Sequence, residues 1–325
     1  LGDVYKRQIQ YPTPGHPWSV EEAHQDVADR KLLATRVRIY GDDIAVVVAE
    51  NELAAQRGLE AIRVEYEEYP VCTTPEQAMA EGALPIHEEH PENVLKHTLF
   101  NVITPGAAIK DVDEVFADPA YRVFEDHFDT QAVQHCHIEN PVSYAYMEAG
   151  RIVVVSSTQI PHIVRRVIGQ ALGIGWGNIR VIKPYIGGGF GNKQEVLYEP
   201  LNAWITTQVG GRPVKLECTR EETFQNTRSR HPIHFDLKAA VGPDMRLMAR
   251  DCRAVSNQGG YASHGHAIVA NAVTGFRQTY PDVLAHRSEA WTVYTNLGST
   301  GAMRGYGIPQ CNFAGECMMD DIARE

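Results

Sequence analysis

Apolar positions along the chain alternate between strand-like and helix-like spacing. Residues 44–49 form a continuous apolar run suited to a buried strand. Asn51 then caps a helix, with Glu52 in its first turn and Leu53, Leu59 and Ile62 along one side. Ile62, Val64 and Tyr66 alternate with polar residues towards Pro70, so this stretch reads as strand, helix, strand. Between 72 and 129 the period fades into turn residues, which predicts a surface linker with one short helix over 111–116. Order returns with a strand over 151–157. Val164, Val167, Ile168, Ala171 and Leu172 then recur at helical spacing, and Gly173 stands where a helix should stop. A strand over 179–185 completes a βαβ unit. A helix bearing Leu197, Leu201, Trp204 and Ile205 follows, then a strand over 212–218. Ile233, Phe235, Leu237 and Ala239 alternate up to a turn at 242–245, beyond which a long strand is expected. Residues 313–325 close the chain as an amphipathic helix.

Composition narrows what such a chain can be. With 325 residues, 43% of them hydrophobic and 22% charged, it buries a sizeable core and accommodates two domains. No run approaches the roughly 18 apolar residues of a spanning helix, so no membrane segment is expected. The net charge of −11 argues against non-specific binding to nucleic acid, which needs a basic surface. Six scattered cysteines include no CxxC pair, so neither a disulfide framework nor an iron–sulfur site is expected, and a reducing cytoplasm is the natural setting. The opening "LGDVYKRQ" reads as appended sequence, and the last helix stops in mid-pattern, as a fragment of a longer protein would.

Four stretches carry residue types without an evident structural need. "GGGFGNK" (187–193) leaves the end of the second βαβ strand, where ligands bind in open α/β sheets. It fits neither phosphate-loop pattern: a dinucleotide fingerprint beginning at Gly187 would need glycine where Asn192 stands. A triphosphate loop would need lysine directly after Gly191. "SSTQIPH" puts Gln159 at a strand-to-helix junction, "CTREETFQNTRSRHP" gathers Arg220, Arg228, Arg230 and His231, and "GAMRGYGIPQ" flanks Arg304 with glycines. Taken singly, each has a plain structural explanation in a capping residue, a tight turn or solvated charges. His264 and His266 read as a polar turn.

Together, "STQIPH", "GGGFGNK", "TREETF…RHP" and "GAMRGYGIP", in this order, resemble the molybdenum-binding subunit of the xanthine dehydrogenase and aldehyde oxidase family. The resemblance is to bacterial xanthine dehydrogenases whose molybdenum subunit is a separate chain. It implies a mixed α+β and α/β fold: residues 1–70 the C-terminal part of an α/β hammerhead domain, 71–130 a linker, and 131–325 the first molybdopterin-binding domain. It further implies a molybdenum hydroxylase that inserts water-derived oxygen into a purine carbon, xanthine first. The cofactor would be molybdopterin, or molybdopterin cytosine dinucleotide, with molybdenum. Iron–sulfur clusters and FAD would sit on an iron–sulfur subunit and an FAD subunit as partners.

Residue by residue, Gln159 matches the family glutamine whose amide donates to the oxo ligand of the metal. Gly189, Phe190 and Gly191 match the loop whose backbone passes over the cofactor, and Arg304 an arginine beside the pterin. Gln159, Phe190 and Arg304 therefore surround the metal without ligating it, since the pterin dithiolene holds it. Arg220 matches a substrate-binding arginine and Tyr306 an aromatic that packs on the substrate ring. Gln194 stands where the animal enzymes carry a substrate-binding glutamate. An amide donates as well as accepts, so an aldehyde or nicotinate-type substrate stays open beside a purine. The family's general base lies beyond this chain. A rival of another class, a non-catalytic scaffold, would leave Gln159, Phe190 and Arg304 dispersed.

Overall fold

The computed structural model describes residues 8–15 and 25–325. The opening residues that read as appended sequence fall outside them, except Gln8. In chain order the elements are α1 (Glu52–Glu60), α2 (Pro75–Ala78), β1 (Val94–Ile103), α3 (Val112–Ala117), β2 (Arg122–Asp129), β3 (Val142–Glu148) and β4 (Arg151–Ser156). They continue with α4 (Pro161–Leu172), β5 (Ile179–Ile182), α5 (Glu199–Gln208), β6 (Val214–Glu217), α6 (Arg220–Asn226) and β7 (Ile233–Val241). The last are β8 (Leu247–Gly259), α7 (Gly265–Gln278), β9 (Ala285–Tyr294) and α8 (Ile308–Arg324).

One layer is a four-stranded sheet in the order β5-β4-β3-β6. The βαβ unit expected from the apolar spacing is present: β4 and β5 run parallel, joined by α4. Gly173 ends α4 in the left-handed region at φ 65°, where a Cβ is disfavoured. Pro184 has no N–H to give a ladder, and β5 stops at Ile182, three residues short of the expected end. Val164, Val167, Ile168 and Ala171 of α4 and Leu201 and Ile205 of α5 close over Ile152 and Val154 as a buried core. Because β4 and β5 are parallel, their C-terminal ends lie at the same edge of the sheet. The chain after Ser156 and the glycine loop after Ile182 therefore emerge side by side.

The second layer is a five-stranded sheet, β1-β9-β8-β7-β2. Helices α7 and α8 cover one face through Val269, Val273, Phe276, Ala314 and Met318, packed on Phe235, Leu237, Cys252 and Ala254. This corrects the reading of 72–129 as a linker. The segment supplies β1 and β2, the two edge strands, as well as the expected short helix, here α3, capped by Asp111. An edge strand buries only one side and pairs on one flank, so its sequence shows a weak apolar period; β1 and β2 are mostly exposed or half-buried along their length.

The first expected unit is also only partly realised. Helix α1 forms as expected, with the Asn51 side chain accepting from the Ala54 amide at 2.9 Å. The flanking strands over 44–49 and 62–66 do not form: no ladder partner lies against them among the described residues, and a strand exists only through its neighbour's hydrogen bonds. This part is held to the rest by a buried polar joint. Asp42 accepts from the Tyr261 hydroxyl at 2.8 Å, Asp29 accepts from the Ala262 amide at 2.6 Å, and the Arg30 guanidinium lies 4.2 Å from the Tyr261 ring centre.

Buried histidines give the fold a pH signature. Burial pushes His231 down to about 4 and, helped by the nearby Arg250 charge, His286 to about 3. The unfolded chain binds these protons near pH 6.5, the folded chain only well below it, so stability is fully present above about pH 6.5 and lost as the pH falls. Each group contributes at most about 1.4 kcal/mol per pH unit in that window. Thermal midpoints measured from pH 8 to 5 should be flat above 7 and fall progressively below 6.5.

Candidate functional site

Four loops that sequence separates by up to about 150 residues meet at the end of the β4–β5 pair. Gln159 follows β4, and its backbone N–H donates to the Lys193 carbonyl at 2.8 Å. Its side-chain Oε1 accepts from the Gly191 amide at 3.1 Å. That bond decides which way the carboxamide faces, because the oxygen is held by the loop and Nε2 is left to donate elsewhere.

The glycines make this approach possible. A Cβ on Gly189 would stand 2.5 Å from the Gln159 Oε1, displacing the carboxamide. Gly191 has φ +113°, and a Cβ there would stand 2.4 Å from the Ala302 carbonyl oxygen. Between them Phe190 itself adopts a positive φ of 52° and is 44% exposed. A bulky residue held in the left-handed region is strained, and such strain persists only where surrounding contacts over-determine it. One such contact is the Phe190 carbonyl, which accepts from the Arg304 amide at 3.0 Å. The Arg304 guanidinium in turn lies 4.7 Å from the Phe190 ring centre, a cation–π distance. Arg230 donates to the Arg304 carbonyl at 2.8 Å, adding a second guanidinium to the same face.

The residues at 135–139 support the loop from the other side, and no motif had singled them out. Glu139 Oε2 accepts from the Gly187 amide at 3.0 Å and pairs with the buried Lys193 Nζ at 2.5 Å. Asn192 Nδ2 donates to His137 Nε2 at 2.9 Å, and His137 Nδ1 donates to the Glu139 carbonyl at 2.7 Å. Arg220, the first residue of α6 after its Thr219 cap, donates to the Ile138 carbonyl at 2.9 Å. It thus stands exposed on the segment that braces the glycine loop. The clue in the sequence was the polar string "QHCHIEN", which names residue types but not what they support.

Beneath the loop lies a buried ionic cluster. Glu195 is 1% exposed and accepts from Arg228 Nε at 2.8 Å, His264 Nδ1 at 2.9 Å, Thr13 Oγ1 at 3.0 Å and the Ser263 hydroxyl. Burial alone would raise its pKa, but the Arg228 charge and then His264 and Ser263 outweigh this and hold it well below the usual carboxylate range. Two readings are corrected here. Arg228 and His231 turn into the core, and only Arg220 and Arg230 of that arginine-rich stretch reach towards the loops. His264 and His266, read as a polar turn, are the cap and second residue of α7, and both are buried.

Gln194 is half-buried, its amide N–H on the Gly191 carbonyl at 2.9 Å. Tyr306 also has positive φ, 49°, and is half-buried with its ring edge-on to His264 at 5.6 Å. Its hydroxyl is buried with no partner among the described residues. An orphaned buried hydroxyl is costly, so Tyr306→Phe should stabilise the protein by about 1 kcal/mol. Urea unfolding of the two forms measures this directly.

Comparison with known proteins places the chain in a family. Residues 86–325 match the molybdopterin cofactor-binding domain, and residues 10–70 match the a/b hammerhead domain of aldehyde oxidase and xanthine dehydrogenase. The chain belongs to this family. It is 47% identical over 97% of its length to the xanthine dehydrogenase molybdenum-binding subunit of Escherichia coli O157:H7, of which it spans 41%. It is 33% identical over 90% of its length to the nicotinate dehydrogenase large molybdopterin subunit of Eubacterium barkeri, spanning 66% of that protein. Among solved structures, the aldehyde oxidoreductase from Desulfovibrio gigas superposes over 97% of this chain and 34% of its own, with a TM-score of 0.88 and 29% identity.

Proposed function

We propose that this chain is the part of a molybdenum hydroxylase subunit that presents the cofactor-facing loops, and that the whole protein hydroxylates a purine, with xanthine the leading substrate. The observation that carries the reading is the Gln159 carboxamide, pinned through Oε1 by the amide of Gly191, the residue after Phe190, whose ring pairs with Arg304, so that Nε2 is not used by the loop. The residues fit a molybdenum–pterin group: Gly189 and Gly191 leave a bare backbone around a directed donor, and Arg304 and Arg230 add positive charge for an anionic cofactor.

When bound, such a group supplies the two-electron redox chemistry that an amino-acid side chain cannot. This chain's own residues then position and stabilise. Gln159 directs a donor at the cofactor, pre-aimed and therefore without reorganisation cost. Phe190 keeps water from one side of the site. Arg220, always charged and forked, holds an acceptor-rich heterocycle and stabilises negative charge developing on its ring. Gln194 contributes a donor or an acceptor to the same ligand, and Tyr306 walls the pocket.

The cofactor would be molybdopterin or its cytosine dinucleotide form. Electrons would leave through iron–sulfur and FAD partner subunits, with the assembly in the cytoplasm. A nicotinate-type or aldehyde substrate is the second reading, favoured by the amide at Gln194, which suits ligands that need a donor there. The test is turnover of xanthine, nicotinate and an aldehyde by the full-length protein with its partners, alongside metal analysis. Xanthine as best substrate is expected, with Arg220→Ala lowering its kcat/KM by about 10–100-fold, in line with loss of a charged contact, and aldehyde oxidation far less. Equal loss on both substrates would remove Arg220 from the binding site. Folded parent protein free of molybdenum would overturn the enzyme reading in favour of a scaffold.

A further inference from the structure

On the sheet face not covered by α7 and α8, strands β2 and β7 place two histidines and two aspartates in a square. The antiparallel register sets His127 opposite Asp236 and Asp129 opposite His234. Since residues two apart on a strand point the same way, all four share one face. His127 Nδ1 lies 2.7 Å from Asp236 Oδ1, and His234 Nε2 lies 3.0 Å from the same oxygen. The two rings are nearly parallel, 6.1 Å apart at an interplanar angle of 13°. His234 Nδ1 lies 2.8 Å from Asp129 Oδ1.

His234 therefore has a carboxylate oxygen at each nitrogen. A neutral imidazole has one N–H, so one of those oxygens meets a lone pair unless a second positive charge is supplied. Either a proton or a metal ion supplies it. The arrangement also suits a metal. Asp129 accepts the Nδ1 proton and so frees Nε2 as a ligand, the arrangement by which carboxylates orient metal-bound histidines. Arg253 Nη1 holds the other oxygen of Asp236 at 3.2 Å, leaving Oδ1 for the ion. The candidate ligand atoms of His127, His234 and Asp236 all lie within 4.8 Å of one another. Ligands about 2.0–2.1 Å from a common ion stand about 3.3 Å apart in a tetrahedron, so the two contacts to Asp236 Oδ1, at 2.7 and 3.0 Å, need to open by about 0.3–0.6 Å while the two imidazoles draw together. His127, with its side chain 71% exposed, has room to do so.

We infer that His127, His234 and Asp236 form a binding site for a borderline divalent transition metal, zinc above all, with Asp129 orienting His234 and an open position towards solvent. Two imidazoles and one carboxylate suit zinc, nickel or copper rather than magnesium or calcium, which prefer all-oxygen sites. The ion would clasp the edge strand β2, whose outer flank has no ladder partner among the described residues, to β7.

Zinc chloride titrated calorimetrically into the full chain at pH 7.5, in a buffer that does not chelate, should show one saturable site. Cobalt in place of zinc should give the visible absorption of a tetrahedral centre. His127→Gln and His234→Gln should each weaken binding at least tenfold, and Asp129→Asn by about 10–100-fold. His97→Gln, an exposed histidine on β1 stacked on Trp291, should leave binding unchanged. All four changes lie at exposed or half-buried positions, and circular dichroism checks that each variant folds. Absence of saturable binding up to millimolar zinc would overturn the assignment, and so would binding that survives both histidine changes.

Discussion

Glu195→Ala should cost the fold about 3–5 kcal/mol, because removing one partner of a buried ion pair strands the other charge away from water. Arg228 is as deeply buried as Glu195 and donates to it at 2.8 Å, and His264, Ser263 and Thr13 aim at the same carboxylate. The damage should extend to the site, since Glu195 directly follows Gln194 and its partners lie on the segments that lead into α7 and β7. Replacing both partners by apolar residues of similar size, Glu195→Leu with Arg228→Met, should cost less than Glu195→Ala alone, since no charge is then left unpaired. Urea unfolding of the three forms measures this. A single substitution as mild as a surface change, within about 0.5 kcal/mol, would mean that the ion pair is absent.

The second large effect is on turnover. Gln159→Glu in the full-length enzyme should fold normally yet lose about 10²–10³ in kcat, the equivalent of one directed donor, or about 2.7–4 kcal/mol. The substitution separates two roles of one side chain. A carboxylate still accepts the Gly191 N–H, so the loop keeps its anchor, but it has no N–H to offer and, on the function proposed above, would bring a negative charge towards the cofactor. Gln159→Ala should lose activity too, and in addition about 1 kcal/mol of stability, because the Gly191 amide loses its acceptor. A Gln159→Glu enzyme with unchanged kcat would take the carboxamide out of the chemistry and leave it as a loop anchor.

How much of this could be read before folding differs from one element to the next. Helix α4 announced itself through the spacing of Val164, Val167, Ile168 and Ala171 and the glycine that ends it, because helix period and stop are local properties. The long strands β7 and β8 were legible for the same reason. The edge strands β1 and β2 were not, since they pair along one flank and bury little. The strands expected around α1 did not form, because apolar residues alone do not make a strand without a neighbour to complete its ladder.

The chemistry divides along the same line. The order of residues along the chain was enough to mark Gln159, the glycine loop, Arg220 and Arg304, not one by one but through four motifs that occur together in a set order. Their meeting was decided only in three dimensions. The parallel β4–β5 pair brings the ends of two strands to one edge, and positive φ at Phe190, Gly191 and Tyr306 lets distant loops close on each other. Burial was decided there as well. Arg228 and Arg230 are two residues apart on an irregular stretch, yet one closes on Glu195 in the core and the other faces Arg304. Burial depends on what the rest of the chain packs against a side chain, and no local pattern in the sequence records that.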